Sequence, residues 1–189
     1  FKTGLLMILA LDISTSCTGW CVFDENGFRG TGYIDLSKHK GMYEKAGRVK
    51  TELLNLMIEY PYDKVVVEEN LQAFRPGLSS AKTLMTLAQF NGVVRWICHA
   101  DLNADVSSVN VNTARKTVGL KIDRKSKQKT KDQVWEWVKT INQDDDVKIM
   151  WPHKTLKSGP NKGQVRLCNE AYDMADAYVI GKSHFLLKN

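Results

Sequence analysis

Nowhere in this 189-residue sequence do about 20 consecutive apolar residues occur, the length a membrane-spanning helix requires. No signal peptide with a small-residue cleavage site is recognised at the start either, so the chain is expected in the cytoplasm, with no membrane partner. Cysteine is scarce: the four, at 17, 21, 98 and 168, show no CxxC spacing. That argues against a disulfide framework or a thiolate metal site and reads as reduced thiols, with Cys17 and Cys21 as core residues. Histidine is equally sparse, and His39, His99 and His153 offer no metal-ligand spacing. Internal repeats and linkers are lacking. What remains, 43% hydrophobic and 25% charged residues, describes a globular chain with one ordinary core. Residues 7–189 read as one domain and residues 1–6 as a short extension without functional weight.

Acids are nearly missing from one segment. Between Val111 and Lys131 stand eight basic residues (Arg115, Lys116, Lys121, Arg124, Lys125, Lys127, Lys129 and Lys131) against the single acid Asp123. The formal charge of the whole chain is +6, so this segment at +7 leaves the rest at −1. A basic patch on a near-neutral body suits a polyanion bound at one place. Charge alone leaves open a solvated lysine loop.

The expected elements alternate. Residues 6–13 read as a buried strand, and 18–23 with 29–34 as a hairpin around the turn Asp24-Glu25-Asn26-Gly27. Ala46, Val49, Leu53, Leu56 and Met57 recur at helical spacing over 43–59, and Tyr60-Pro61 ends that helix. A β-branched strand, Val65-Val66-Val67, follows. Phe74–Ser80 reads as a loop with Ser79 or Ser80 as helix cap, 81–99 as an amphipathic helix and 105–111 as a strand. A short helix from Thr113, the basic loop and a helix over 130–141 come next. Lys154–Arg166 reads as a second basic loop with Gly and Pro turn signals, and 168–186 as the last helix. This order predicts an α/β fold: a mixed sheet, a hairpin meander plus parallel strands, flanked by helices.

The carboxylates stand in unusual places. Asp12 ends the first apolar strand, and Glu68 with Glu69 ends another. If these strands are neighbours, their termini bring the acids to the end of the sheet where ligands collect. Successive strand residues face opposite sides, so only one glutamate can share a face with Asp12, and periodicity does not choose. On the last helix Asp173 and Asp176 are three residues apart, hence on one face, and Glu170 continues the stripe. Each acid taken alone is most simply a strand-end or helix-surface residue. Together they favour a site for cations, since close like charges raise one another's pKa unless a cation lies among them. An all-oxygen set suits Mg²⁺ or Mn²⁺, and two such ions can drive phosphodiester hydrolysis.

At these residues the sequence resembles the RuvC family of Holliday junction resolvases, within the RNase H-like superfamily. "ILALDISTSCTGWCVF" (8–23) is similar to the family's first strand, catalytic aspartate and second strand. "VVVEENLQAF" is similar to its glutamate-bearing strand, with Glu68 at the catalytic position. "DMADAYVIGKSH" resembles its terminal helix, His184 included. "VNTARKTVGLK" and "KTKDQVWEWV" resemble, more weakly, its lysine-bearing segments. The resemblance implies an RNase H-like fold with a five-stranded mixed sheet and a Mg²⁺-dependent endonuclease (two ions per site, Mn²⁺ substituting). It implies paired symmetrical nicks in four-way DNA junctions by a homodimer, whose two-fold axis matches that of the substrate. Asp12, Glu68, Asp173 and Asp176 would bind metal, and Lys116 and Lys131 would contact phosphate. The basic loop would hold the backbone independently of sequence, and Phe74 or Leu71, with Arg75 nearby, would contact or wedge open bases, the alternative being a loop residue folded onto the core. The chain departs from the family at Ile13-Ser14, where the family has proline-glycine. The long basic loop and the insertion Lys154–Arg166 are further departures, which a phage or viral member would fit.

Two other readings compete. A flap, fork or RNA–DNA hybrid nuclease of the same superfamily would use the same acids. "LDISTSCTGW" also resembles somewhat the phosphate hairpin of actin-like ATPases, which have two such domains. A non-catalytic junction binder would need a broken acidic set, and this one is complete.

Overall fold

A computed structural model describes residues 7–69 and 80–188. The first apolar run forms β1 (Ile8–Ile13), and the hairpin forms β2 (Cys17–Asp24) and β3 (Gly27–Asp35). Gly27, at φ +118°, supplies the turn conformation that a side chain disfavours. Buried Asp24 closes this hairpin by accepting from Asn26 N (2.8 Å) and from Arg29 Nε (2.5 Å). Helix α1 (Met42–Glu59) precedes β4 (Lys64–Glu68). Helix α2 (Ala81–Trp96) is capped by Ser80, whose hydroxyl accepts from Thr83 N, and runs into a π-helical turn, Ile97–Asp101. Then come β5 (Asp105–Val109), α3 (Val111–Thr117), α4 (Thr130–Ile141), β6 (His153–Thr155), β7 (Val165–Leu167) and α5 (Glu170–Lys188).

Five strands form one sheet in the order β3-β2-β1-β4-β5. The meander β1-β2-β3 is antiparallel, and β4 and β5 join β1 in parallel. This is the expected mixed sheet. The segment read as a second basic loop differs from expectation, because β6 and β7 pair as a separate antiparallel ribbon. Its strands are only three residues long and largely exposed, so no hydrophobic alternation marks them in the sequence.

Period-2 alternation sorts the core into two layers. Leu9, Leu11, Ile13, Val65 and Val67 pack with Val49, Leu53 and Leu56 of α1 and with Phe90 and Val94 of α2. Ile8, Ala10 and Val66 face the other way, against Ala114 of α3, Val134 and Val138 of α4, and Met174, Ala177 and Tyr178 of α5. The sheet is thus covered on both faces, and α5 lies on the face to which the even-numbered β1 residues point. No described helix is long and apolar enough to cross a membrane.

Candidate active site

Alternation brings the acids together. Ile8 and Ala10 point toward α5, so Asp12, two residues on, points the same way. In β4 the residue on that face is Val66, and the next is Glu68. Leu11 pairs with Val67 in the parallel ladder, so Asp12 and Glu68 are the next residues at the carboxyl ends of adjacent strands. The choice the sequence left open is thereby resolved in geometry. Glu68 shares the face of Asp12, whereas the exposed Glu69 accepts from Asn110 Nδ2 at 3.3 Å, beyond β5.

Helix α5 supplies Asp173 and Asp176, and its seat explains their reach. Gly19 lies opposite Asp12 across β1 and β2. A Cβ built on Gly19 would stand 2.1 Å from the carbonyl oxygen of Asp173. Only glycine allows the helix backbone to rest on the strand there. Gly181 does the same two turns later, where a Cβ would meet the Phe23 ring at 2.8 Å. The neighbouring turn is tied by Ser14, whose Oγ donates to Cys17 O (2.7 Å) and accepts from Cys17 N (3.1 Å). Lys45 of α1 anchors it from the other side through Thr15 O. At the end of β4, Arg95 of α2 donates to Glu68 O (3.0 Å) and Ser108 Oγ (2.8 Å), fixing the carboxyl ends of β4 and β5.

All four carboxylates are half-buried, and all are held above their ordinary range. Burial is the chief cause at each. For Asp12, repulsion from Asp176, Asp173 and Glu68 adds to burial, and Arg115 opposes it. Glu68 is raised by burial and Asp176 and lowered by Arg115. Asp173 is pushed up to about 6 by burial, against the lowering hydrogen bond from the Cys17 thiol and the nearby charge of Lys131. Asp176 is raised by burial and relieved by Arg115, whose guanidinium stands 3.5 Å from it.

The donor set has the chemistry of a hard divalent-cation site: oxygen ligands only, from three elements, with Asp12, Glu68 and Asp173 each destabilised by a neighbouring negative charge. Among the described residues no three Asp, Glu, His or Cys side chains stand close enough to enclose a cation. The acids are within electrostatic reach of one another and short of coordination reach, as expected of like charges with one guanidinium among them.

The cations expected around the acids divide. Arg115, expected as a DNA contact, is the α3 residue that faces the carboxylates, and its buried Nε has no partner among the described residues. Lys116, expected there on resemblance, is the next residue round the helix and is exposed. Both line a cleft of about 290 Å³ with Asn112, Lys121 and Arg124. Lys131 does lie by the acids, 4.2 Å from the centroid of the Tyr172 ring. Lys125, Lys127 and Lys129 are exposed on the loop between α3 and α4. That loop is organised: Gln133 of α4 accepts from Asp123 N (2.8 Å) and donates to Asp123 O and Gln128 O (3.0 Å each). Leu71, Phe74 and Arg75 lie outside the described residues. His184 sits two turns beyond Asp176, about 12 Å along the helix axis. A second cavity of about 400 Å³, lined by Trp20, Tyr33, Glu52 and Glu59 among others, has acids and no basic residue, and so does not suit a phosphate.

Sequence reasoning missed Cys17, Gly19, Arg95 and Gln133. Cys17 was read as core, and it is buried, but its thiol donates to Asp173 and its own pKa is driven up by burial and by that acid. Only the glycine had a local signal, in the run Thr18-Gly19-Trp20 of the stretch that resembles the family's second strand.

No protein-family model matches the chain, and no curated protein matches it in sequence. Solved structures do. Thermus thermophilus RuvC in complex with Holliday junction substrate superposes at a TM-score of 0.59, with 12% identity over 97% of this chain and 94% of that one. A further T. thermophilus RuvC structure gives 0.58 at 14% identity, covering 97% and 95%. The yeast mitochondrial Holliday junction resolvase Ydc2 gives 0.57 at 12% identity, covering 98% and 81%. Over nearly its whole length, the chain has the RuvC-like, RNase H-type fold.

Proposed function

We propose that this protein is a divalent-metal-dependent endonuclease that resolves four-way DNA junctions by paired nicks. The observation that carries the reading is the convergence of Asp12, Glu68, Asp173 and Asp176, from two strand ends and one helix, beside a basic cleft. Asp12, Glu68, Asp173 and Asp176 would hold two Mg²⁺ or Mn²⁺ ions. Bound there, such ions lower the pKa of a water and stabilise a departing oxygen. The chain's own part is positional. The strand ends hold Asp12 and Glu68 rigidly, and the Cys17 thiol orients Asp173. Arg115 and Lys131 offer a phosphate two cations at the acidic edge, and Lys116, Lys121 and Arg124 continue that field along the cleft.

The homodimer that two symmetrical nicks require has support on α2. Ala81, Met85, Ala88, Gly92 and Trp96 are all exposed and recur at helical spacing, an apolar stripe open to a second helix. The testing experiment compares cleavage of a synthetic four-way junction, a Y-fork, a flap and an RNA–DNA hybrid, with Mg²⁺ and with EDTA. Paired nicks at symmetrical positions of the junction only, and only with metal, are expected. Equal cleavage of forks or hybrids would assign the site to another nuclease of this fold, and ATP turnover without DNA would revive the actin-like reading.

A further inference from the structure

The β6–β7 ribbon has no part in the acidic site, yet it is built as a basic arm leading into the helix that carries Asp173 and Asp176. From Pro152 to Asn169 the chain holds four cations (Lys154, Lys157, Lys162 and Arg166) and no acid. All four are exposed. Lys154 and Arg166 are directly opposed across the ribbon, so their side chains share one face. Like charges at a cross-strand pair oppose ribbon formation, and neither has an ion-pair partner among the described residues. An anion between them would turn that repulsion into a bidentate contact.

The root of the ribbon is fixed. Buried Asn142 donates to Val147 O (2.8 Å) and accepts from Ile149 N (2.8 Å). The Trp151 ring packs edge-on against Trp135 of α4 at 6.0 Å, and Cys168 N donates to Pro152 O (2.9 Å). The tip turns through Gly159 and Gly163, both at positive φ. The ribbon leads directly into α5, with Leu167 six residues before Asp173, so its root is one short connection from the helix that carries two of the acids.

We infer that the β6–β7 ribbon is a second DNA-binding element, which grips the phosphate backbone of a duplex arm through Lys154 and Arg166, with Lys157 and Lys162 at its tip. The inference rests on the nuclease reading for the identity of its polyanion. Such contacts position a duplex and read no sequence. The ribbon thus adds phosphate contacts to those of the Lys121–Lys131 loop without adding sequence preference.

Binding of a labelled four-way junction to the full chain in EDTA, from about 50 to 200 mM salt, tests this apart from catalysis. Lys154→Gln with Arg166→Gln should weaken binding roughly 10- to 60-fold at about 0.1 M salt and make the log–log salt slope shallower by about 2. Lys154→Glu alone gives the ribbon an opposite-charge pair, so it should weaken DNA binding while leaving the thermal midpoint unchanged or higher. Unchanged affinity and slope in both variants overturns the inference. A wild-type chain that binds the junction but does not nick it with Mg²⁺ overturns the nuclease reading and leaves the ribbon standing. A wild-type chain that binds no DNA overturns both.

Discussion

Asp12 shows how a single residue can weigh against stability at the place where the proposed chemistry calls for it. Its carboxylate is held above its ordinary range by burial and by three neighbouring acids. Asp12→Asn should therefore abolish Mg²⁺-dependent nicking, leave junction binding intact and stabilise the metal-free protein. Junction-cleavage assays and urea unfolding in EDTA check both halves, and unchanged cleavage would remove Asp12 from the site. Gly19 makes the converse point. It carries no chemistry, but any side chain there meets the backbone of Asp173. Gly19→Ala should lower stability by about 1–3 kcal/mol, the usual effect of overpacking, and should weaken Mg²⁺ binding by displacing Asp173 from Asp12. Isothermal titration with Mg²⁺ reads the second effect, and wild-type affinity would show that α5 can shift without disturbing the acids.

Among the elements, the Lys121–Lys131 loop and the β6–β7 ribbon were both read from sequence as basic loops, and they proved different. The first is a loop stapled by Gln133, whereas the second is a paired ribbon. Hydrogen bonds from a residue about ten positions away leave no periodic trace, and three-residue exposed strands show no alternation. Helical phase likewise decided between Arg115 and Lys116, because adjacent residues on a helix diverge by about 100° and only one can face the acids. Replacing Lys125, Lys127 and Lys129 by Gln together should make the salt dependence of junction binding shallower by about 2 to 3 log units per log unit of salt. A slope equal to wild type would make those lysines solvated bystanders.

For the whole molecule the acids couple folding to pH. A carboxyl whose pKa is raised on folding holds its proton in the native state when the unfolded chain has already lost it. The metal-free protein therefore gains stability as pH falls from neutrality toward about 4, and loses it as pH rises through about 6, where Asp173 ionises. Thermal midpoints in EDTA should be higher at pH 5 than at pH 7.5, and by a smaller margin in an Asp12→Asn, Asp176→Asn control, which keeps the burial-raised Glu68 and Asp173. Millimolar Mg²⁺ should raise the midpoint at pH 7.5 in wild type and leave the control unmoved. A wild-type profile no steeper than the control's would mean that Asp12 and Asp176 add nothing to the coupling of folding to pH.

By itself the sequence determined the five strands of the main sheet, most of the helices and the mixed sheet, and it singled out Asp12, Asp173 and Asp176, because apolar periodicity and strand-end charges are local signals. Asp12 stood out for ending a buried strand, and Asp173 and Asp176 for their spacing on an apolar helix. Tertiary structure decided in geometry what the sequence left to a resemblance, that Glu68 and not Glu69 shares the face of Asp12, because that follows from which faces of two paired strands meet α5. It alone placed Arg115 among the acids, seated the helix on Gly19 and turned a basic insertion into a ribbon. Each of these depends on contact between segments far apart in the chain, and no window of neighbouring residues contains that contact.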